Sequence, residues 1–115
     1  MSDDALEQNL SKLMDEISEI EMLIALDYKG NVLVGQTITE MDKAAIAKSV
    51  ADIFTKSKAL GKSTGKGKVQ SMTISLDEGS SCIVANDSMI IVSVQGTDAA
   101  NSIALILRSL KSCLP

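Results

Sequence analysis

Few side chains of this 115-residue chain have the chemistry of catalysis. The chain contains no histidine, so it has no Ser–His or Cys–His pair, no imidazole metal ligand and no imidazole proton carrier. The acidic pairs Asp15–Glu16 and Asp77–Glu78 fall on a polar helix face and in a turn, where nothing would desolvate a carboxyl group for acid–base work. We therefore expect no enzymatic activity and predict no catalytic, cofactor-binding or metal-binding residue.

The segment Gly61-Lys62-Ser63-Thr64 ends like a phosphate-binding loop, but the rest of that motif is missing. The motif needs another glycine five residues before Gly61, where this chain has Lys56. It also joins a strand to a following helix, whereas here a helical pattern comes first and an extended pattern follows. A polar linker, mobile and exposed over residues 61–68, is therefore favoured over a nucleotide site.

The remaining reactive groups have structural explanations. Arg108 is the only arginine and so the only candidate for an arginine finger. It falls near the C-terminal end of the last predicted helix, where pairing with the helix dipole accounts for it. Cys82 and Cys113 lie in apolar segments without zinc-site spacing, so we interpret both as buried thiols, which predicts a reducing, cytoplasmic location. No apolar run is long enough to span a bilayer, so we expect neither a signal peptide nor an anchor.

Charge is divided unevenly along the chain, whose net charge is −4. Residues 1–42 are strongly acidic, and residues 43–68 carry seven lysines against Asp52. This polarity indicates either charge-steered association with a partner or ordinary solvated faces around a flexible lysine loop. A weak contact of the Lys56–Lys68 segment with an anionic surface stays open. Nucleic acid is disfavoured because no aromatic residue is interleaved with the lysines.

Hydrophobic periodicity predicts three helices and five strands in the order αββαβββα. The predicted helices cover about the first 20 residues, the stretch from a Thr39-x-x-Asp42 capping sequence to Leu60, and the stretch that ends at Leu114. The predicted strands are residues 22–26, 32–34, 69–76, 81–85 and 89–95.

Strand composition predicts where each strand lies in the sheet. Met22–Leu26 and Met89–Val92 are apolar at successive positions, which is typical of central strands buried on both faces. The strand at 69–76 alternates between apolar and polar residues and suits an edge. Because hairpin partners are neighbours, we expect an α+β fold with a five-stranded antiparallel sheet of order 2-1-5-4-3. Helices 1 and 3 would cover one face and helix 2 the other.

Helix 2 alone is too narrow to cover its face of the sheet. Five strands span about 24 Å, and one helix with its side chains covers about 10 Å. The apolar arc of helix 2, extended sideways by alanines, is about 200° wide, well beyond what one packed face requires. A homodimer interface is favoured over the alternative that the helix is merely deeply seated and its alanines serve helix propensity. The predicted interface residues are Ala44, Ala47, Val50, Ala51, Phe54, Gln70, Met72 and Ile74.

The element order, the stretch Leu23–Leu33 with its Asp27-x-x-Gly30 turn, and the stretch Val69–Gln95 together resemble the Roadblock/LC7 domain family. The resemblance covers about Leu6 to Leu114 and predicts one domain over residues 1–115. Members include MglB-like regulators and dynein light chains. The resemblance implies a protein that is not itself an enzyme and that dimerises through helix 2 and strand 3 into a ten-stranded sheet.

The resemblance also implies a function. Many members serve small Ras-like GTPases, which contact the helix 2 surface of the dimer. Here that surface would present Lys48, Asp52, Thr55 and Lys56. The leading hypothesis is a dimeric scaffold or regulator that biases the nucleotide state or hydrolysis of such a GTPase. The alternatives are a light-chain-type adaptor that carries a cargo or motor segment without nucleotide dependence, and a ligand-sensing module with a pocket beneath helix 1.

Overall fold

A five-stranded antiparallel sheet lies between helices on its two faces. The structure, a computed structural model, describes the backbone from Ser2 to Pro115 and the side chains from Asp4 onward. Its elements in chain order are α1 (Ser2–Glu16), β1 (Ile20–Leu26), β2 (Val32–Thr37), α2 (Lys43–Thr64), β3 (Ser71–Leu76), β4 (Gly79–Ala85), β5 (Ile90–Gly96), a 3₁₀ helix (Thr97–Ser102) and α3 (Ile103–Cys113).

The strand order is β2-β1-β5-β4-β3, and every neighbouring pair is antiparallel. The central strands β1 and β5 are buried over almost their whole length, whereas every residue of the edge strand β3 is half-buried or exposed. The fold class, strand order and element order predicted from the sequence are confirmed.

The two faces of the sheet carry separate apolar cores. On one face, α1 and α3 pack onto the sheet through side chains such as Leu10, Ile106 and Leu110. On the other face, Val50 and Phe54 of α2 pack onto alternate residues of β1, β4 and β5. The helices therefore lie on the predicted faces, and each central strand contributes successive side chains to the two cores in turn.

The predicted ends of α2 are wrong at both termini. Asp42, not Thr39, caps the helix, because its carboxylate accepts a hydrogen bond from the backbone N–H of Ala45 at 3.0 Å. The helix also continues past Gly61 to Thr64 and ends at Gly65, which adopts a left-handed conformation with φ 68°. Gly61-Lys62-Ser63-Thr64 is therefore the last helical turn and not a loop.

Position 61 requires glycine because the backbone of the segment after α2 packs directly against it. A Cβ at this position would overlap the carbonyl oxygen of Gly67, in the segment that leads into β3. Replacing a helical glycine by alanine normally stabilises a helix by about 0.5–1 kcal/mol. Here we expect Gly61→Ala to lower the free energy of unfolding by about 1–3 kcal/mol, because backbone must move to admit the methyl group.

Urea unfolding followed by circular dichroism measures this effect. Ala59→Gly, at an exposed position of the same helix, is the matched control and is expected to lose about 0.5–1 kcal/mol through backbone entropy alone. A Gly61→Ala protein more stable than the parent would show that the Gly67 carbonyl does not lie against Gly61.

The other helices differ from prediction at their ends. The first helix stops at Glu16, and Ile20, which follows the helical spacing, instead opens β1. The last helix begins at Ile103, after a 3₁₀ helix over Thr97–Ser102, and ends at Cys113, one residue before the predicted end. No helix in the described chain has the length and apolar character needed to cross a membrane.

Candidate interaction surface and cavity

The β1–β2 hairpin closes against one flank of α2. A Cβ at Gly30, which has φ 88°, would lie 3.0 Å from the Cα of Lys48, and a Cβ at Gly35 would lie 3.2 Å from the side chain of Lys43. The helix accordingly packs mainly over β1 and β2. Cover on the same face decreases towards the sheet edge: Ile83 of β4 is fully buried, whereas no residue of β3 is.

Most of the predicted interface residues of α2 lie in the chain's own core. Ala47, Val50, Ala51 and Phe54 are at most 5% exposed and pack against the sheet. Ala44 is exposed. The small alanines let the helix approach its own hairpin closely, so they do not form a free seam for another helix.

The opposite flank of α2 is apolar and only partly covered, since Ile46 is half-buried. Ile46, Ile53 and Leu60 recur at seven-residue steps and so lie along one side of the helix. Ile53 is 41% exposed and Leu60 is 67% exposed. Sequence reasoning predicted a wide apolar arc on this helix but included none of these three residues in the predicted interface.

The edge strand β3 adds to the same partly covered area. Met72 and Ile74 are half-buried against the α2-side core, and Leu76, which points to the same face, is 56% exposed. Gln70, also predicted for the interface, is exposed just before the strand. The term open apolar surface denotes the apolar side chains of α2 and β3 that are half-buried or exposed on this face: Ile46, Ile53, Leu60, Met72, Ile74 and Leu76.

The residues predicted to contact a GTPase line the outer side of α2. Lys48, Asp52, Thr55 and Lys56 are all exposed. Lys56 Nζ lies 3.3 Å from a carboxylate oxygen of Asp52, one turn earlier in the helix. An ion pair this exposed contributes little to stability, so both charges remain available to a partner.

The Asp27-x-x-Gly30 turn is held by its own aspartate. The Asp27 carboxylate accepts hydrogen bonds from the backbone N–H groups of Asn31 and Lys29, both at 2.9 Å, and from the Asn31 side chain at 3.1 Å. The bonds from Asn31 are the main reason that the pKa of Asp27 lies below its usual value. The motif therefore shapes the hairpin that α2 packs against.

A cavity of about 910 Å³ opens where the C-terminal half of α2 meets the segment that leads to β3. Its apolar wall includes Tyr28 and Phe54, whose rings meet edge to face with centroids 6.1 Å apart. The Tyr28 hydroxyl donates a 2.6 Å hydrogen bond to the carbonyl oxygen of Asn86, which ties the β1–β2 turn to the β4–β5 turn. Sequence reasoning missed this cavity, since the four segments that form it meet only in the fold.

Lysines surround the mouth of the cavity. The ammonium group of Lys58 lies 4.6 Å from the centroid of the Tyr28 ring, and Lys62 and Lys68 also line the cavity. Lys68 Nζ lies 3.0 Å from a carboxylate oxygen of Asp87, and this hydrogen bond raises the pKa of Lys68. Partial burial raises the pKa of Tyr28, with a smaller contribution from Asp87.

A family model described as the Roadblock/LC7 domain matches residues 6–96. The chain belongs to this family. A search of curated proteins finds no match.

Solved structures similar to this Roadblock/LC7 chain include several MglB proteins. The gliding protein MglB from Thermus thermophilus is 18% identical, with a TM-score of 0.85 over 97% of this chain and 84% of that one. MglB from Myxococcus xanthus is 12% identical, with a TM-score of 0.81 over 94% and 87%. An MglB with a tetrameric arrangement is 16% identical, with a TM-score of 0.72 over 96% and 93%. At these identities the likeness establishes the fold.

The reactive groups singled out in the sequence are dispersed in this Roadblock/LC7 fold. Arg108 is exposed on α3, across the sheet from α2. Cys82 and Cys113 are free; Cys82 is buried as predicted, whereas Cys113 is only half-buried. Burial raises the pKa of both thiols, which disfavours the reactive thiolate. Among the described residues, no group of three or more acidic, cysteine or histidine side chains could hold a metal ion.

Proposed function

We propose that this Roadblock/LC7 chain forms a homodimer that binds a small Ras-like GTPase and biases its nucleotide state or hydrolysis. The observation that carries the proposal is the open apolar surface, which lies beside the exposed polar side of α2. Family membership supports a role in GTPase regulation or as an adaptor.

A second copy is the occupant that fits the open apolar surface. Contiguous apolar patches of this kind on a small protein mark interaction sites. The strand β3 lies at the sheet edge, where one side of its backbone has no strand partner within the described chain. A twofold axis beside β3 would pair the two β3 strands into a ten-stranded sheet and bring Ile53 and Leu60 of each copy over the other's partly covered face. The tetrameric arrangement of one MglB neighbour shows self-association in that protein.

Dimerisation would place two copies of the outer side of α2 next to each other. The dimer would then present a mixed-charge surface twice as long as that of one copy and suited to steering a protein partner. In each copy this surface consists of Lys48, Asp52, Thr55 and Lys56. A partner bound there changes its switch-loop equilibrium only if it binds one switch conformation more tightly. Arg108 lies across the sheet from this surface, so acceleration of hydrolysis would act by repositioning the GTPase's own groups.

Binding to small Ras-like GTPases loaded with GDP or with a non-hydrolysable GTP analogue tests the proposal. We expect a difference between the two nucleotide states, and we expect the Lys48→Glu/Lys56→Glu variant to bind at least about tenfold more weakly. Lys12→Glu/Lys111→Glu, at exposed positions of α1 and α3, makes the same change in net charge and should bind like the parent. Absence of binding in both states across the GTPases tested would contradict the proposal.

A nucleotide-independent adaptor is the second candidate function. It is favoured by the other edge strand, β2, whose outer backbone edge would stay without a strand partner after dimerisation through β3 and which carries Val32 and Leu33 with 36% and 41% exposure. An extended segment of a cargo could add to this edge. Equal binding of a partner in both nucleotide states would support this function over regulation.

A further inference from the structure

We infer that the cavity between α2 and the β4–β5 turn binds a small organic anion that carries its phosphate or carboxylate group on a flat apolar body. The inference stands on the cavity's own residues and does not depend on the proposed dimer or its GTPase. Neither Ile53 nor Leu60, on the other flank of α2, lines the cavity.

The mouth of the cavity has a local excess of positive charge. Lys58, Lys62 and Lys68 line it against one acidic residue, Asp87, in a chain whose net charge is −4. Asp87 pairs with Lys68, and among the described residues neither Lys58 nor Lys62 has an acidic group within 4.0 Å. Two ammonium groups are therefore free to pair with an incoming anion.

The interior of the cavity is apolar and partly aromatic. Tyr28, Phe54, Val69 and Ala85 line it. The Tyr28–Asn86 hydrogen bond and the edge-to-face contact with Phe54 hold the Tyr28 ring in place before any ligand arrives. A fixed aromatic wall favours a flat apolar group, which gains contact area without having to order the site.

The size of the cavity fits a small molecule. A volume of about 910 Å³ falls within the range of about 300–1,000 Å³ that is typical of ligand pockets. The ammonium group of Lys58 lies over the Tyr28 ring, so an anion that pairs with it has its apolar body next to that ring. A flat anionic membrane would reach the outer lysines without filling this space.

Tyr28 provides a specific readout, because it is the only tyrosine and the chain has no tryptophan. We expect phenyl phosphate to change the tyrosine fluorescence saturably. Inorganic phosphate lacks the apolar body and benzyl alcohol lacks the charge, so each should bind at least about tenfold more weakly. Benzoate in place of phenyl phosphate distinguishes a carboxylate ligand from a phosphate ligand.

Two variants connect the signal to the lysines. Lys58→Gln/Lys62→Gln should weaken phenyl phosphate binding at least about tenfold, while Lys12→Gln on α1 should leave it unchanged. Circular dichroism verifies that the variants are folded. Equal affinity of the double variant and the parent, or an absence of saturation, would overturn the inference. The inference would also be overturned if the protein bound phosphatidylserine vesicles without a change in Tyr28 fluorescence and phenyl phosphate produced no fluorescence change. The proposed dimer is tested by its molecular mass and the proposed anion site by Tyr28 fluorescence. Either proposal can therefore fail without the other.

Discussion

Ile53→Arg is expected to convert the proposed homodimer into monomers that remain folded. Ile53 is 41% exposed on the partly covered flank of α2, so its replacement does not disturb the chain's own core. A twofold interface contains the residue twice, and each copy loses about 1.5–3 kcal/mol of apolar burial. With two charges also desolvated, we expect dimerisation to weaken by at least about 100-fold.

Light scattering coupled to size-exclusion chromatography over a range of concentrations measures the change in mass. Leu105→Arg is the matched control, because Leu105 is 47% exposed on α3, across the sheet from the open apolar surface. It should keep the mass of the parent. If the parent protein is a monomer at high concentration, or if Leu105→Arg dissociates the dimer as readily, the open apolar surface is not the interface.

The strand arrangement was predictable because hydrophobic pattern and neighbour pairing act together. Residues that are apolar at successive positions of β1 and β5 require burial on both faces, and this leaves only the middle of the sheet for them. Apolar and polar residues alternate in the sequence of β3, which is typical of a strand with only one face covered. These signals are local to each strand, so they could be interpreted without knowing the tertiary structure.

The orientation of α2 on the sheet could not be predicted in the same way. Its apolar arc includes both small residues, such as Ala47 and Ala51, and large ones, such as Ile53 and Leu60. An alanine flank suits a close approach to another helix as well as to the chain's own hairpin. Whether the alanine flank packs on the chain's own hairpin or on another helix depends on Gly30, whose missing Cβ lets the helix backbone lie against the turn.

The cavity and the true end of α2 depend on contacts distant in sequence. Glycine after a helical run normally indicates a C-terminus, but Gly61 lies inside the helix because the Gly67 carbonyl requires a position without a Cβ. Likewise Tyr28 and Lys58 are 30 positions apart and meet only when α2 crosses the hairpin. The residue pattern within either segment therefore could not predict the contact between Lys58 and Tyr28.

Phe54→Ala is expected to lower the free energy of unfolding by about 3–5 kcal/mol, because the side chain is 1% exposed and a cavity would remain under α2. Phe54→Leu retains most of the apolar volume and should cost clearly less. Guanidinium unfolding, monitored by circular dichroism, measures both variants.

Comparing Phe54→Ala in the parent and in the Ile53→Arg monomer tests whether Phe54 packs in the core or at the interface. If Phe54 packs in the chain's own core, Phe54→Ala lowers the free energy of unfolding by several kcal/mol in the Ile53→Arg monomer as well, because the ring's packing against its own sheet is lost there too. If Phe54 instead packs across the dimer, its replacement should have almost no effect in the Ile53→Arg background, where that contact is already lost. The structure predicts the first result, because Tyr28 and the sheet of the same chain surround the Phe54 ring.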